Sequence, residues 1–403
     1  MDLYLTSVLA FFAVLGVIIY KDRKNVEVKY ILLMRKTKKG IVFLDKIAKY
    51  KKFWGIVGIL GVIIAFYLMF TGVFTLTEYG RKLITREVKA PGLSFIFPSP
   101  TSEAIAGPGF IGLPFWDWII IIASVMIPHE LLHGILSRVE KIKVKSMGLL
   151  LFAIFPGAFV EPDEKQLKKS KLLTKLKIYA AGSFANFLVA SLLFLPSVNL
   201  GALNLNLNVG LLPNVLWPAY VPGPIVLTDV NSSSPAYEGG LRAGMVLAKV
   251  NNMPINASYT EFAATGGNNY LLEEAGNLKP GDNITVVAND TTYKITVGKQ
   301  VGDSTRPYLG ITYRPIVNGD DSFVFGFMFQ LFYLLTWMWM LSLAIAIVNI
   351  SPIYPLDGGL IVEALAEKVS RKHYKAITYA ITFVMFIVFF INFATPYIYQ
   401  LLT

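Results

Sequence analysis

"WDWIIIIASVMIPHELLHGILS", residues 116–137, is apolar enough to cross a membrane, yet it carries His129, Glu130 and His133 near its end. Ionisable side chains in hydrocarbon are costly and mark function more often than packing. On a helix, residues four apart share a face, so His129 and His133 can converge on one cation. The pattern is H-E-x-x-H, and neutral imidazole is a good zinc ligand. Glu130, beside the first ligand, can take a proton from a water attacking a carbonyl and pass it to the leaving amine. The bland alternative, two core histidines satisfied by backbone, is a poor fit to lipid. His129 lies thirteen residues after Trp116. That is roughly 20 Å into a core of about 30 Å. Pro128 cannot donate to the carbonyl of Ser124, so a bend is expected just before the ligands.

Composition agrees with a membrane protein. The 403 residues are 54% hydrophobic and 16% charged, against about 25% charged in soluble domains. There are no cysteines, which excludes disulfides, thiolate metal sites and cysteine nucleophiles. The net charge of +11 does not point to nucleic acid. The basic residues cluster beside apolar runs, as at the cytoplasmic face of a bilayer, and no nucleic-acid motif accompanies them.

Six stretches have the length of a membrane span: about 3–20, 54–76, 115–137, 178–195, 324–349 and 376–395. The first lacks the positive start and cleavage site of a signal peptide. Residues 21–52 hold twelve Lys or Arg against three acids, and 138–177 hold ten more basic residues. Both loops are therefore expected inside, with the two termini and the long segment 196–323 outside. That segment holds seven basic and ten acidic residues and N-x-S/T sequons at Asn231, Asn256, Asn283 and Asn289, which support the topology weakly. The expected architecture is a polytopic α-helical membrane protein. It divides into two amino-terminal spans with a basic loop (1–76), a first half of the membrane core (77–195), an extracytoplasmic β-rich insert (196–323) and a second half of the core (324–403).

Within the insert, "IVLTDV", "MVLAKV" and "ITVVAND" alternate as half-buried strands do. "SPAYEGGLRAGMVLAKVNNMPI" resembles a PDZ domain of the bacterial protease-associated kind, with Met245 in place of the usual Asp and Asn252 in place of Gly. "PYLGITY", 307–313, reads as another strand whose place is open. "GLSFIFPSPTSEAIAGPGFIGLP", 92–114, is Gly- and Pro-rich and reads as an outer loop or interfacial turn. In "SMGLLLFAIFPGAFVEPDE", 146–164, Pro156-Gly157 divides two apolar arms, which suits a hairpin dipping into the membrane from the cytoplasmic side. Such a hairpin must be buried against protein or face a cavity.

A catalytic zinc takes three protein ligands and keeps one open position. His373 sits in the basic stretch "SRKHYK" and reads as interfacial. Asp357, in "VNISPIYPLDGG" (348–359), follows the fifth span where Pro and Gly break the helix. Alone it would read as a turn residue. A broken helix in a bilayer implies a cavity or buried site, and with H-E-x-x-H elsewhere Asp357 becomes the third ligand.

Together, "HELLH", "AGSFAN" (181–186) and "NISPIYPLDGG" resemble the site-2 protease family of intramembrane zinc metalloproteases, over about residues 115–395. The first two spans lie outside the resemblance, and gating or simple anchoring both remain open for them. The resemblance implies one zinc per chain on His129, His133 and Asp357, with Glu130 as general base and acid. It implies that Asn186 and Asn349 hold the substrate backbone or the oxyanion, and that the 146–160 hairpin pairs with an unwound substrate strand. Ser183 stands where the family usually has Pro. The expected activity is hydrolysis of a peptide bond in a transmembrane helix of single-span substrates, near the cytoplasmic side. The PDZ-like insert would filter substrates by size or bind carboxyl termini. The rival class is a metal-binding transporter or scaffold without hydrolysis. Glu130 discriminates, since a transport site has no need of it beside a ligand. A PDZ adaptor with a dead site is a third reading, and no ligand position is missing to favour it.

Overall fold

The computed structural model describes residues 3–30, 32–88, 90–102, 104–107, 109–152, 155–197, 224–255, 278–300, 303–315 and 322–402. The sequon at Asn256 lies outside them. The chain divides into two compact units, residues 1–193 with 334–403, and residues 194–333.

In chain order, α1 (Leu3–Lys21) leads into the hairpin β1 (Val26–Lys29) and β2 (Leu32–Thr37), the short α2 (Lys39–Ile47) and the 34-residue α3 (Lys51–Ile84). Strands β3 (Phe95–Ser99), β4 (Ile105–Gly107) and β5 (Phe110–Pro114) precede α4 (Phe115–Val139). A second hairpin, β6 (Val144–Phe152) and β7 (Phe155–Pro162), is followed by α5 (Glu164–Lys169) and α6 (Leu172–Ser197). The second unit contributes β8 (Ile225–Val230), α7 (Pro235–Glu238), β9 (Val246–Val250), β10 (Met253–Pro254), β11 (Asn283–Ala288), β12 (Thr291–Thr296), β13 (Gly298–Gln300), β14 (Asp303–Tyr308) and β15 (Ile311–Pro315). The chain closes with α8 (Ser322–Ile350), α9 (Asp357–Val369) and α10 (Tyr374–Leu402).

Six of these helices, α1, α3, α4, α6, α8 and α10, are long and apolar enough to span a bilayer, and they coincide with the six stretches read from hydropathy. The chain is an integral multi-pass membrane protein. α4 continues through Pro128 as one helix.

The second span is no peripheral anchor. Gly58, Gly61, Ala65, Leu68, Gly72, Leu76 and Gly80 form one buried stripe along α3. Lipid tails are as apolar as leucine, so helices in a membrane associate by close packing, which small residues permit. A Cβ at Gly61 would stand 3.1 Å from the Phe184 ring on α6, one at Gly72 2.8 Å from Ile347 on α8, and one at Gly80 3.1 Å from Asn392 on α10. Asn392 is fully buried, and its amide donates to the carbonyl of Leu76 at 2.8 Å. α1 differs. Of its residues only Val8 is buried, and it leans on the start of α4 through Phe11 against Phe115 and Trp116, with Trp116 Nε1 donating to Ser7 Oγ at 3.0 Å.

Three local expectations need correction. Residues 26–37 are not plain basic loop. They form a hairpin whose second strand pairs with β6, giving a four-stranded sheet β1-β2-β6-β7. Leu32, Leu33 and Met34 of β2 stand beside Phe152, Leu151 and Leu150 of β6, so apolar side chains neighbour one another on both faces of the sheet. The second hairpin does not turn at Pro156-Gly157 either. Phe152 pairs with Phe155, so Pro156 and Gly157 lie within β7 opposite Leu151 and Leu150. Pro156 is tolerated because β7 is an edge strand. Residues 92–114 are more ordered than a turn. They form a small sheet in which β5 pairs parallel to β3 and antiparallel to β4.

The second unit is β-rich. Its main sheet runs β12-β11-β9-β8-β15, with β10 beside β9. Ile225, Leu227, Leu247, Val250, Ile284 and Ile295 fill its core, the inward halves of the alternating strands. The place of "PYLGITY" is now set. Tyr308 ends β14, and Ile311–Tyr313 lie in β15 against β8.

Candidate metal centre

α4, α6 and α9 meet at one point. α4 supplies His129 and His133 from one face, and α9 begins at Asp357. The packing that seats Asp357 depends on its two glycines. A Cβ at Gly358 would stand 1.9 Å from the Ile350 carbonyl oxygen, and one at Gly359 2.4 Å from Ile353 and Tyr354 backbone. The chain leaving α8 folds back so tightly that no side chain fits there, and this brings the Asp357 carboxylate to the two imidazoles.

His129 Nε2 and His133 Nε2 are 3.3 Å apart. Asp357 Oδ2 stands 3.6 Å from the former and 3.4 Å from the latter. Tetrahedral zinc with ligands at roughly 2.0–2.1 Å sets neighbouring ligand atoms about 3.3–3.4 Å apart. The triangle matches. Gly182 on α6 adds a second test, because a Cβ there would lie 2.3 Å from His129 Nε2 and 2.4 Å from His133 Nε2. That position is equally close to His129 Cε1, so it is not the seat of a metal itself, but any side chain there would crowd both nitrogens, and glycine leaves the space beside them clear. The donor set and the cleared space both fit a zinc ion.

Each imidazole is held from behind. His133 Nδ1 meets the Ile178 carbonyl of α6 at 2.7 Å. Asn186 is fully buried; its Nδ2 stands 3.1 Å from His129 Nδ1 and its Oδ1 has no partner. The hydroxyl of Ser183, also fully buried, is 3.4 Å from Asp357 Oδ2. α6 therefore touches all three side chains of the candidate metal site.

Glu130 is next in sequence to a ligand but stands apart from the triangle. Its Oε2 accepts the backbone N–H of Val160 on β7 at 2.9 Å. Glu130, His129, His133 and Asp357 line a cavity of about 310 Å³, with Val160 and Pro162 of β7 and the charged Glu164 and Lys168 among the other lining residues. Both of these are exposed, so the cavity reaches the polar surface.

The four residues expected from H-E-x-x-H and L-D-G come together. The two asparagines do not join them at the open face. Asn186 packs behind His129, on the ring edge away from Nε2, because its turn of α6 faces α4. Asn349 is half-buried one residue before the end of α8, and neither asparagine lines the cavity. His373 is exposed and contacts Ser370, away from the centre. Sequence reasoning missed Gly182, Ser183 and the Ile178 carbonyl as neighbours of the ligands. The "AGS" half of "AGSFAN" carried the signal for the first two, as a small-residue pair one turn before Asn186. A backbone carbonyl leaves none.

A profile of peptidase family M50 matches residues 118–392. An uncharacterized protein of Methanocaldococcus jannaschii is 25% identical over 367 residues, covering 89% of this chain and 85% of that protein. A membrane-bound transcription factor site-2 protease homolog of Arabidopsis thaliana is 26% identical over 216 residues. That alignment covers 53% of this chain and only 38% of the plant protein. The profile takes in α4, α6 and α9 with the cavity between them, and on that match the chain belongs to peptidase family M50, the site-2 protease family.

Proposed function

We propose that the protein is an intramembrane zinc endopeptidase that cleaves a transmembrane segment of single-span membrane proteins near the cytoplasmic side. The observation that carries this reading is the ligand triangle of His129, His133 and Asp357 with a carboxylate, Glu130, beside it but outside it. His129, His133 and Asp357 hold the metal. When bound, zinc supplies a Lewis acid that polarises a carbonyl and makes water acidic enough to attack at neutral pH.

The remaining steps belong to the chain's own groups. Glu130 takes a proton from the attacking water and delivers it to the amine nitrogen as the peptide bond breaks. Asn186 orients His129. With its amide turned half a rotation, Oδ1 accepts the Nδ1 proton that a neutral imidazole carries when it ligates through Nε2. The Ile178 carbonyl does the same for His133, and Ser183 holds Asp357.

The substrate is held by β7. A helix hides its carbonyls in internal hydrogen bonds, so it must be extended before cleavage, and an edge strand can pair with it. On an antiparallel edge, alternate residues face outward. Val160 N–H points off the sheet to Glu130, so residues 156, 158, 160 and 162 share that direction. Pro156 and Pro162 have no N–H. Only Ala158 and Val160 can donate, and the paired stretch is correspondingly short. A substrate carbonyl that takes the Val160 N–H releases Glu130 toward the water. Productive binding and arming of the base are then one event.

The charge pattern supports an arrangement with loops 21–52 and 138–177 in the cytoplasm and residues 224–315 outside. There a PDZ-like unit would screen substrates. Glu130→Gln tests the mechanism. The purified variant should keep about one zinc per chain, as wild type does, and lose cleavage of a co-expressed single-span substrate by about 10²–10⁴-fold. Cleavage at the wild-type rate would reject the scheme.

A further inference from the structure

A second cavity, of about 400 Å³, lies where the α5–α6 junction meets the end of α9. Lys168, Lys169, Lys175, Lys368 and Arg371 line it, against one acid, Glu367. Lys175 is buried and gives one bond, at 2.7 Å, to Glu367. That contact neutralises one pair, and Lys168 faces Glu164 at 3.6 Å within α5, which leaves Lys169, Lys368 and Arg371 as an excess of positive charge around a single small volume. Like charges at such range repel. α6 makes the imbalance worse. Its first turn has no acidic residue and contains Lys175, although the N-terminal end of a helix carries partial positive charge and favours anions. Basic residues in the last turn of α9 are ordinary dipole partners, but they do not account for cations crowding the start of α6.

Position narrows the ligand. The pocket sits at the first turn of the membrane span of α6, and Arg371 is three residues before α10, another span. Both apolar runs begin there, which is the level of lipid headgroups. Basic pockets between spans at that level take phosphorylated headgroups. We propose that this pocket binds a phosphate group, that of an anionic lipid headgroup or of a soluble phosphate. The bound anion ties the start of α6, which backs the histidines, to the end of α9, which begins at Asp357. This site is independent of the proteolytic reading.

The test uses the full chain in neutral detergent micelles, titrated separately with phosphatidylglycerol, phosphatidylcholine and inorganic phosphate while the thermal midpoint is recorded. The pocket variant is Lys169→Ala/Lys368→Ala/Arg371→Ala. The control, Lys21→Ala/Arg23→Ala/Lys24→Ala, removes equal charge elsewhere. Lys168 and Lys175 stay intact, since one borders the metal cavity and the other is buried. Each cation contributes about fivefold in affinity at an anionic surface, so three should move the titration midpoint about a hundredfold. Saturable stabilisation of wild type and the control by phosphatidylglycerol, lost in the pocket variant, supports the site and assigns a lipid. The same pattern with inorganic phosphate alone supports it and assigns a soluble anion. Equal stabilisation by phosphatidylcholine, equal loss in both triple variants, or no stabilisation of wild type overturns it. Zinc content of the pocket variant reports that it folds. Should it not fold, Lys169→Arg/Lys368→Arg, which keeps the charge, must retain wild-type stabilisation, and its loss counts against the proposal.

Discussion

At the scale of single residues, the centre is a set of side chains that hold one another. A metal-ligating histidine works through one nitrogen only when the other has a fixed partner. His133 has a backbone carbonyl, which no side-chain substitution removes. His129 depends on Asn186, a buried amide with an oxygen to spare. Asn186→Ala should therefore weaken zinc binding by about 10–100-fold, read by competition with a chelator. Unchanged affinity would show that the amide is not what orients the ring. Glu130 is held by a different logic. Its carboxylate accepts a strand's N–H and stands outside the triangle, which in the proposed mechanism keeps the base close without making it a fourth ligand.

Among elements, β7 and α3 carry the clearest consequences. If Ala158 and Val160 are the donors offered to a substrate, then Ala158→Pro removes half of them without touching the ladder to β6. Cleavage should fall at least about tenfold, while zinc content and thermal midpoint stay near wild type. Retained cleavage would mean that substrate does not pair along this edge. α3 tests the packing of the core. Gly72 lies where a Cβ would be 2.8 Å from Ile347, so Gly72→Leu overpacks the α3–α8 contact. The expected cost is about 1–3 kcal/mol, visible as a lower thermal midpoint in detergent. Gly55, with nothing within 4 Å of its Cβ position, is the matched control, and Gly55→Leu should be tolerated.

For the whole molecule, the orientation in the membrane remains the charge-derived proposal, and the absence of cysteine makes it simple to examine. A single cysteine at Ser233 should react with a membrane-impermeant thiol reagent added outside intact cells. One at Lys38 should react only after the cells are opened. The reverse result would invert the topology and put the mouth of the metal cavity on the other side.

Sequence alone determined the six spans, because crossing a bilayer needs a continuous apolar run and hydropathy is a local property. It also singled out His129, Glu130 and His133, since a spacing of four on a helix is enough to put two ligands on one face. Asp357 was legible because Pro and Gly broke a helix where hydrocarbon forbids loose backbone. What the tertiary structure decided was everything that depends on which faces meet. That β2 joins β6, that the hairpin reverses before Pro156, that α3 threads the core on a stripe of small residues, and that Asn186 sits behind a ligand could not be read from spacing. Each is a contact between segments distant in the chain. Such contacts are selected by shape and by the pairing of buried polar groups, which no single segment encodes by itself.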